Sequence, residues 1–145
     1  MSIKRILTAA VAGTTFMTLF SEVVSKLDGH NYNEAKILGE LIDCITPLDE
    51  KTSQAAGWVG HYGVGVLFAT GYDEFLERMG TKPSILNGAV YGALSGLVGA
   101  AVWHSTFKAH PNPPGVNLKK YYKQLVIAHA VFGIAASLTY PENKK

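Results

Sequence analysis

The sequence predicts an all-α protein, an integral membrane four-helix bundle with one short amphipathic helix between the first and second spans. Three observations predict it. Of 145 residues, 48% are hydrophobic and only 17% charged, whereas soluble domains carry about 25% charged residues and disordered chains fewer apolar ones. Four stretches run almost free of charge for roughly the 20 residues a helix needs to cross a hydrocarbon core about 30 Å thick. Glycine also recurs inside these stretches, where it costs a helix in water about 1 kcal/mol against Ala but lets membrane helices approach closely. The competing reading is a soluble bundle with an Ala- and Gly-rich core. The length suits one domain, residues 1–145.

The first span covers about residues 5–24, follows Lys4 and Arg5, and carries only Glu22 near its end. Its basic-then-apolar opening has the profile of a secretory signal, but no A-x-A site follows, so the helix is expected to be retained. Next, "NEAKILGELIDCIT" sets Ile37, Leu38, Leu41, Ile42 and Ile45 at helical spacing, an amphipathic helix over about residues 32–46. Its polar face mixes Glu34, Lys36, Glu40 and Asp43 without a basic excess, which favours packing on a partner or on the protein itself over an anionic lipid surface. Cys44, the single cysteine, cannot form an internal disulfide and is expected as a small buried apolar residue.

The second span, about residues 53–75, starts from Ser53 as a cap and ends near Tyr72, Asp73 and Glu74, whose carboxylates are expected to be solvated. The third, about residues 84–107, is capped by Ser84 and carries Gly88, Gly92 and Gly96 at four-residue spacing. That is a glycine zipper, a helix-packing device that offers a docking face. A loop stiffened by Pro111, Pro113 and Pro114, with His110 expected to be exposed, leads to the fourth span, about residues 120–140. Tyr121 and Tyr122 suit the headgroup boundary there, and Pro141 follows the helix end.

Antiparallel spans place His61 and His129 each about 12 Å deep from one surface at 1.5 Å per residue, with His104 and Glu22 shallower in the same leaflet. Small residues beside the first two, Gly57 and Gly65, then Gly133 and Ala136, mark inward faces. Ionisable groups at such depth are costly and point to a site. Four chemistries stay open, one of them proton handling or the binding of a lipid or quinone headgroup. The histidines can be structural, each donating one hydrogen bond to a neighbouring helix. They can hold a divalent metal through His61, His104, His129 and Glu22. They can also ligate haem b from His61 and His129, with Gly60, Gly63 and Gly65 leaving room for the macrocycle. No C-x-x-C-H, H-E-x-x-H or G-x-S-x-G is present, so no catalytic residue is assigned. With 13 basic against 11 acidic residues, a nucleic-acid partner is set aside.

"GHYGVGVLFATGYDEF", then "LNGAVYGALSGLVGAAVWHSTF", a Pro-rich loop and "IAHAVFGIAASL" resemble the YagU-like family of bacterial inner-membrane proteins over about residues 57–138. The matching positions are His61, Tyr72, Gly88, Gly92, His104 and His129. The resemblance implies a multi-pass inner-membrane protein and supplies no reaction. The expected function is a small accessory or structural membrane subunit, self-associated or part of a larger assembly, with the lipid bilayer, other membrane subunits or itself as partners. The alternative is a haem- or metal-binding protein in electron transfer or metal handling. Basic residues are divided between the two surfaces, and Lys4 and Arg5 before the first span favour cytoplasmic termini.

Overall fold

Short polar side chains that accept from the free amides of a first turn decide where each helix starts. The computed structural model describes residues 3–113 and 115–140; Pro114 and Pro141 lie outside the described residues. Five helices follow one another, α1 (Ile3–Asp28), α2 (Glu34–Ile45), α3 (Glu50–Met79), α4 (Ile85–Ala109) and α5 (Leu118–Thr139), and the described residues include no strand. Asn33, Asp49, Ser84 and Asn117 cap α2 to α5 in turn. The α3 cap is therefore Asp49, which accepts from the Thr52 amide at 3.0 Å. Ser53, expected as the cap, lies one turn inside and is buried. Gly80 ends α3 with φ of 60°, a left-handed conformation that glycine adopts without a Cβ clash.

Small residues then set which helices touch. α4 lies along α5, α5 along α1, and α1 along α3; α2 packs on the first part of α3, while α3 and α4 touch only sparingly. A Cβ on Gly88 would strike the Gly133 carbonyl oxygen, and one on Gly92 the His129 carbonyl oxygen. One on Gly96 would lie 2.8 Å from the Val126 Cα. The zipper face is thus filled by α5 of the same chain, which removes it as a docking face for another subunit. Gly57 and Gly39 likewise bring α3 and α2 together, since a Cβ on Gly57 would stand 2.5 Å from the Gly39 amide nitrogen.

Beside an apolar core that includes Ile6, Met17, Leu125 and Phe132, two helices turn small polar residues or glycines inward and large aliphatic side chains outward. α1 buries Thr14, Thr18 and Ser21 while exposing Leu7, Val11, Leu19 and Val23. α4 buries glycines and Ser95 while exposing Leu86, Leu94, Leu97 and Val98. α1 and α4 are long and apolar enough to cross a membrane, and only 28% of the most apolar stretch of α4 is buried within the protein. Outward hydroxyls do not depend on solvent either. Thr8, Ser105 and Thr106 donate to the carbonyls of Lys4, Ala101 and Val102 one turn back, a bond that completes inside the helix.

Several expected placements are corrected by this packing. Asp73 is 1% exposed because α3 continues past it to Met79 and turns it towards α1, where the Arg5 guanidinium lies 3.6 Å away. Arg5 also donates to the Tyr140 hydroxyl at 2.9 Å, so one cation joins α1, α3 and the end of α5. Tyr121 is fully buried, not at a boundary, with the Tyr32 and Trp103 rings 6.3 and 6.0 Å from its own. Cys44 lies beyond Leu41, the last buried residue of α2, and is exposed. His110 is half-buried and donates from Nε2 to the Leu41 carbonyl at 3.1 Å, closing the proline-rich loop onto α2.

Candidate functional site

Sparse packing of α3 on α4 leaves a cavity of 200 Å³ between them. α1 supplies Thr14 and Met17 to its wall, α2 supplies Glu34 and Leu38, and α5 supplies His129 and Phe132. His61, Val64, Gly65 and Phe68 come from α3; Gly99, Val102, Trp103 and Thr106 come from α4. Val64 and Val102 are 45% and 59% exposed, so the cavity is a slot that opens sideways at the apolar outer surface.

The hydrogen bonds around the two histidines fix their neutral tautomers. The Thr18 hydroxyl has one proton, which it donates to the Thr14 carbonyl at 2.7 Å. Its contact with His61 Nε2 at 2.9 Å must therefore carry the imidazole proton, and Nε2 is the donor. His129 Nδ1 lies 2.9 Å from the Leu125 carbonyl, which only accepts, so Nδ1 carries that proton. His61 Nδ1 and His129 Nε2 make no hydrogen bond among the described residues, and on the same cavity the Thr14 hydroxyl and Glu34 Oε2 are buried without a partner. Gly99 lets α4 reach the second ring, since a Cβ there would stand 3.1 Å from His129 Nε2. Phe68 meets the same ring edge-on at 5.2 Å.

Glu34 is the site residue that sequence reasoning missed, having been read as part of the polar face of α2. It is 2% exposed, and a chain of donors reaches it: Gln124 Nε2 to Ser21 Oγ at 2.7 Å, then Ser21 Oγ to Glu34 Oε1 at 3.1 Å. Its Oε2 has no partner. Burial pushes the carboxyl up to about 8, so at neutral pH it is mostly protonated and able to donate. The sign of the linkage follows. The folded state holds this proton from about pH 4.5 to about pH 8 while the unfolded chain has lost it, so its contribution to stability is full in acid and falls across that window. Glu34→Gln should remove this dependence. The melting temperature of the variant relative to the parent is expected to rise between pH 5 and pH 8, by an amount set by about 1.4 kcal/mol per pH unit at most. A difference that stays flat with pH contradicts a buried protonated carboxyl.

The site that forms is narrower than the expected one. His61 and His129 share the cavity, whereas His104 is exposed and contacts the Tyr122 hydroxyl at 3.3 Å. Helical rotation explains it: Gly99, Trp103 and Phe107 continue the inward stripe of α4, and His104 is turned about 100° from Trp103. Glu22 is displaced in the same way, one residue past buried Ser21, and pairs with Lys36 at 3.0 Å. No three His, Cys, Asp or Glu side chains among the described residues are placed to hold a metal ion. The room foreseen for a porphyrin is not formed either. The space over Gly65 is taken by the Thr14 side chain, a Cβ on Gly60 would stand 3.0 Å from the Leu38 side chain, and neither Gly60 nor Gly63 lines the cavity. No step is derived through a haem or metal here.

No protein-family model matches the chain, and neither a curated protein nor a solved structure is similar to it.

Proposed function

We propose that this protein is a small multi-pass membrane protein that receives an apolar, membrane-resident ligand through the slot between α3 and α4. It acts as a non-catalytic accessory component of the membrane rather than as an enzyme. The observation that carries the reading is that the slot opens between Val64 and Val102, on the face of the bundle that is apolar, while its inner end carries His61, His129 and Glu34. A ligand arriving from water would have to cross that apolar face; one arriving from lipid would not.

All four long helices serve as spans in this reading. α3 and α5 have 30 and 22 residues, about 45 and 33 Å at 1.5 Å per residue, and so exceed a core about 30 Å thick. Their exposed sides present Val59, Leu67, Ile127 and Leu138, while Ser53, His61, Asp73, Gln124 and His129 face inward, as ionisable groups at membrane depth do. The resemblance to the YagU-like family belongs to the same proposal, as do a place in the bacterial inner membrane and cytoplasmic termini.

Trp103 lies on the slot wall and reports on access. With Trp58→Phe as background, the protein is reconstituted in vesicles whose acyl chains carry bromine. Strong quenching by the brominated chains and little by aqueous iodide is the expected result. The reverse order would overturn a slot open to lipid.

A further inference from the structure

Polar groups of two kinds end without a partner on the wall of the slot. His61 Nδ1 and His129 Nε2 offer lone pairs, because the other nitrogen of each ring already donates, to Thr18 and to the Leu125 carbonyl. The Thr14 hydroxyl and the Glu34 carboxyl, 1% and 2% exposed, are unpaired on the same cavity and can donate, the carboxyl because burial holds it mostly protonated. A hydroxyl, an amide or a carbonyl each finds a partner here. Two other kinds of ligand do not. A plain hydrocarbon would leave all of these groups unsatisfied. A permanently charged head would meet no opposite charge, since no Lys or Arg is among the described residues that line the slot, and an unpaired buried charge is costly. Protonating an imidazole for an anion, or ionising Glu34 for a cation, would bury two charges in place of none. Size narrows the choice further. The 200 Å³ volume is a little above the roughly 150 Å³ of an engineered cavity that takes benzene, so it admits one ring or a short length of one chain and not the paired chains of a phospholipid. The opening between Val64 and Val102 lets the rest of that chain lie among lipid tails.

Resting on the reading of the slot as lipid-accessible, we propose that the slot binds an uncharged single-chain amphiphile, head inward, whose small polar head is held by His61 and His129 with Thr14 and Glu34 as further partners. The selection is against charge and against the absence of a head, not between oxidation states of the head. Membrane phospholipids, which carry a charged phosphate and two chains, are excluded on both counts, so a minor neutral component can fill the site while surrounded by them. No bond is made or broken; the selection is one of binding.

The test uses the full-length protein with Trp58→Phe in phosphatidylcholine vesicles, with 10-bromodecanol as the quenching probe and Trp103, on the slot wall, as the fluorophore. Unbrominated 1-decanol, decyl sulfate, decyltrimethylammonium and decane are then titrated in as competitors, each measured by its mole fraction in the membrane. Recovery of fluorescence separates a bound probe from one that quenches through the surrounding lipid. 1-Decanol is expected to restore the fluorescence at a mole fraction at least about tenfold below that of any other competitor, since each of those leaves a buried charge or the buried polar groups unpaired. In the double variant His61→Leu, His129→Leu the midpoint for 1-decanol should move towards that of decane, which stays unchanged; an unmoved midpoint overturns the part given to the histidines. Decyl sulfate or decyltrimethylammonium competing as well as 1-decanol overturns the selection against charge. Decane competing equally overturns the hydrogen-bonded head and leaves the slot standing as an apolar site. Quenching that none of the four relieves overturns this inference, while the slot reading is judged separately by brominated acyl chains and iodide, which need no bound ligand. Should the double variant fail to fold, the comparison of the four competitors on the protein with both histidines intact decides the matter alone.

Discussion

Gly92→Leu is expected to destroy the contact between α4 and α5. A Cβ at this position would already strike the His129 carbonyl oxygen and lie 2.8 Å from the Ala130 Cα, and those are backbone atoms that cannot swing aside. The helices must separate, which exposes the buried faces of both and distorts the His129 side of the slot. A loss of more than about 3 kcal/mol is expected, at the upper end of overpacking effects because backbone, not side chain, is struck. Gly63→Leu is the matched control, since nothing lies within 4 Å of a Cβ there. Thermal unfolding in detergent should show a large drop in midpoint for Gly92→Leu and little change for Gly63→Leu. Equal behaviour of the two variants contradicts the packing described for α4.

The Arg5 and Asp73 pair should show the second large effect, at the opposite end of the bundle. Asp73 is 1% exposed, and its nearest cation is Arg5 at 3.6 Å. Arg5→Met therefore leaves a carboxylate inside the protein with no counter-charge, at an expected loss of roughly 3 kcal/mol. Asp73→Leu alone leaves the guanidinium, which keeps its bond to Tyr140 and is partly exposed, so the loss should be smaller. The double variant should recover much of the stability of the parent, because two apolar side chains replace two charges. A double-mutant cycle measures this directly, and additive losses from the two single variants would contradict a coupled pair.

The helices were legible because uncharged runs and caps are local signals: Ser84 caps α4 as expected, and Ser53, expected to cap α3, lies one turn inside the true cap, Asp49. Helical phase was legible only to within one residue. Ser21 and Glu22 are adjacent, as are Trp103 and His104, and about 100° of rotation separates a wall residue from an outward one. His61 and His129 were found together because equal depth and small neighbours are readable along each helix. Glu34 was not, because its burial depends on α2 folding back onto α3, which Gly39 and Gly57 permit but their spacing does not announce. The partnership of Arg5 with Asp73 was hidden for the same reason, as the two residues meet only once α1 lies against α3. The zipper was legible as a packing device, but whether its partner is α5 or another molecule is a property of the assembled bundle.

The central claim is that four helices present their apolar sides to lipid around an inward polar slot. Spin labels placed one at a time on Leu19, Leu67, Leu94 and Ile127, with Cys44 replaced by Ser, address it in reconstituted vesicles. These residues lie on α1, α3, α4 and α5 and are 56%, 70%, 55% and 53% exposed. The expected result is that all four labels relax strongly with molecular oxygen, which concentrates in lipid, and weakly with a water-soluble nickel chelate. Strong nickel contact at Leu67 and Ile127, with Leu19 and Leu94 protected, would contradict it by showing that only α1 and α4 cross the membrane.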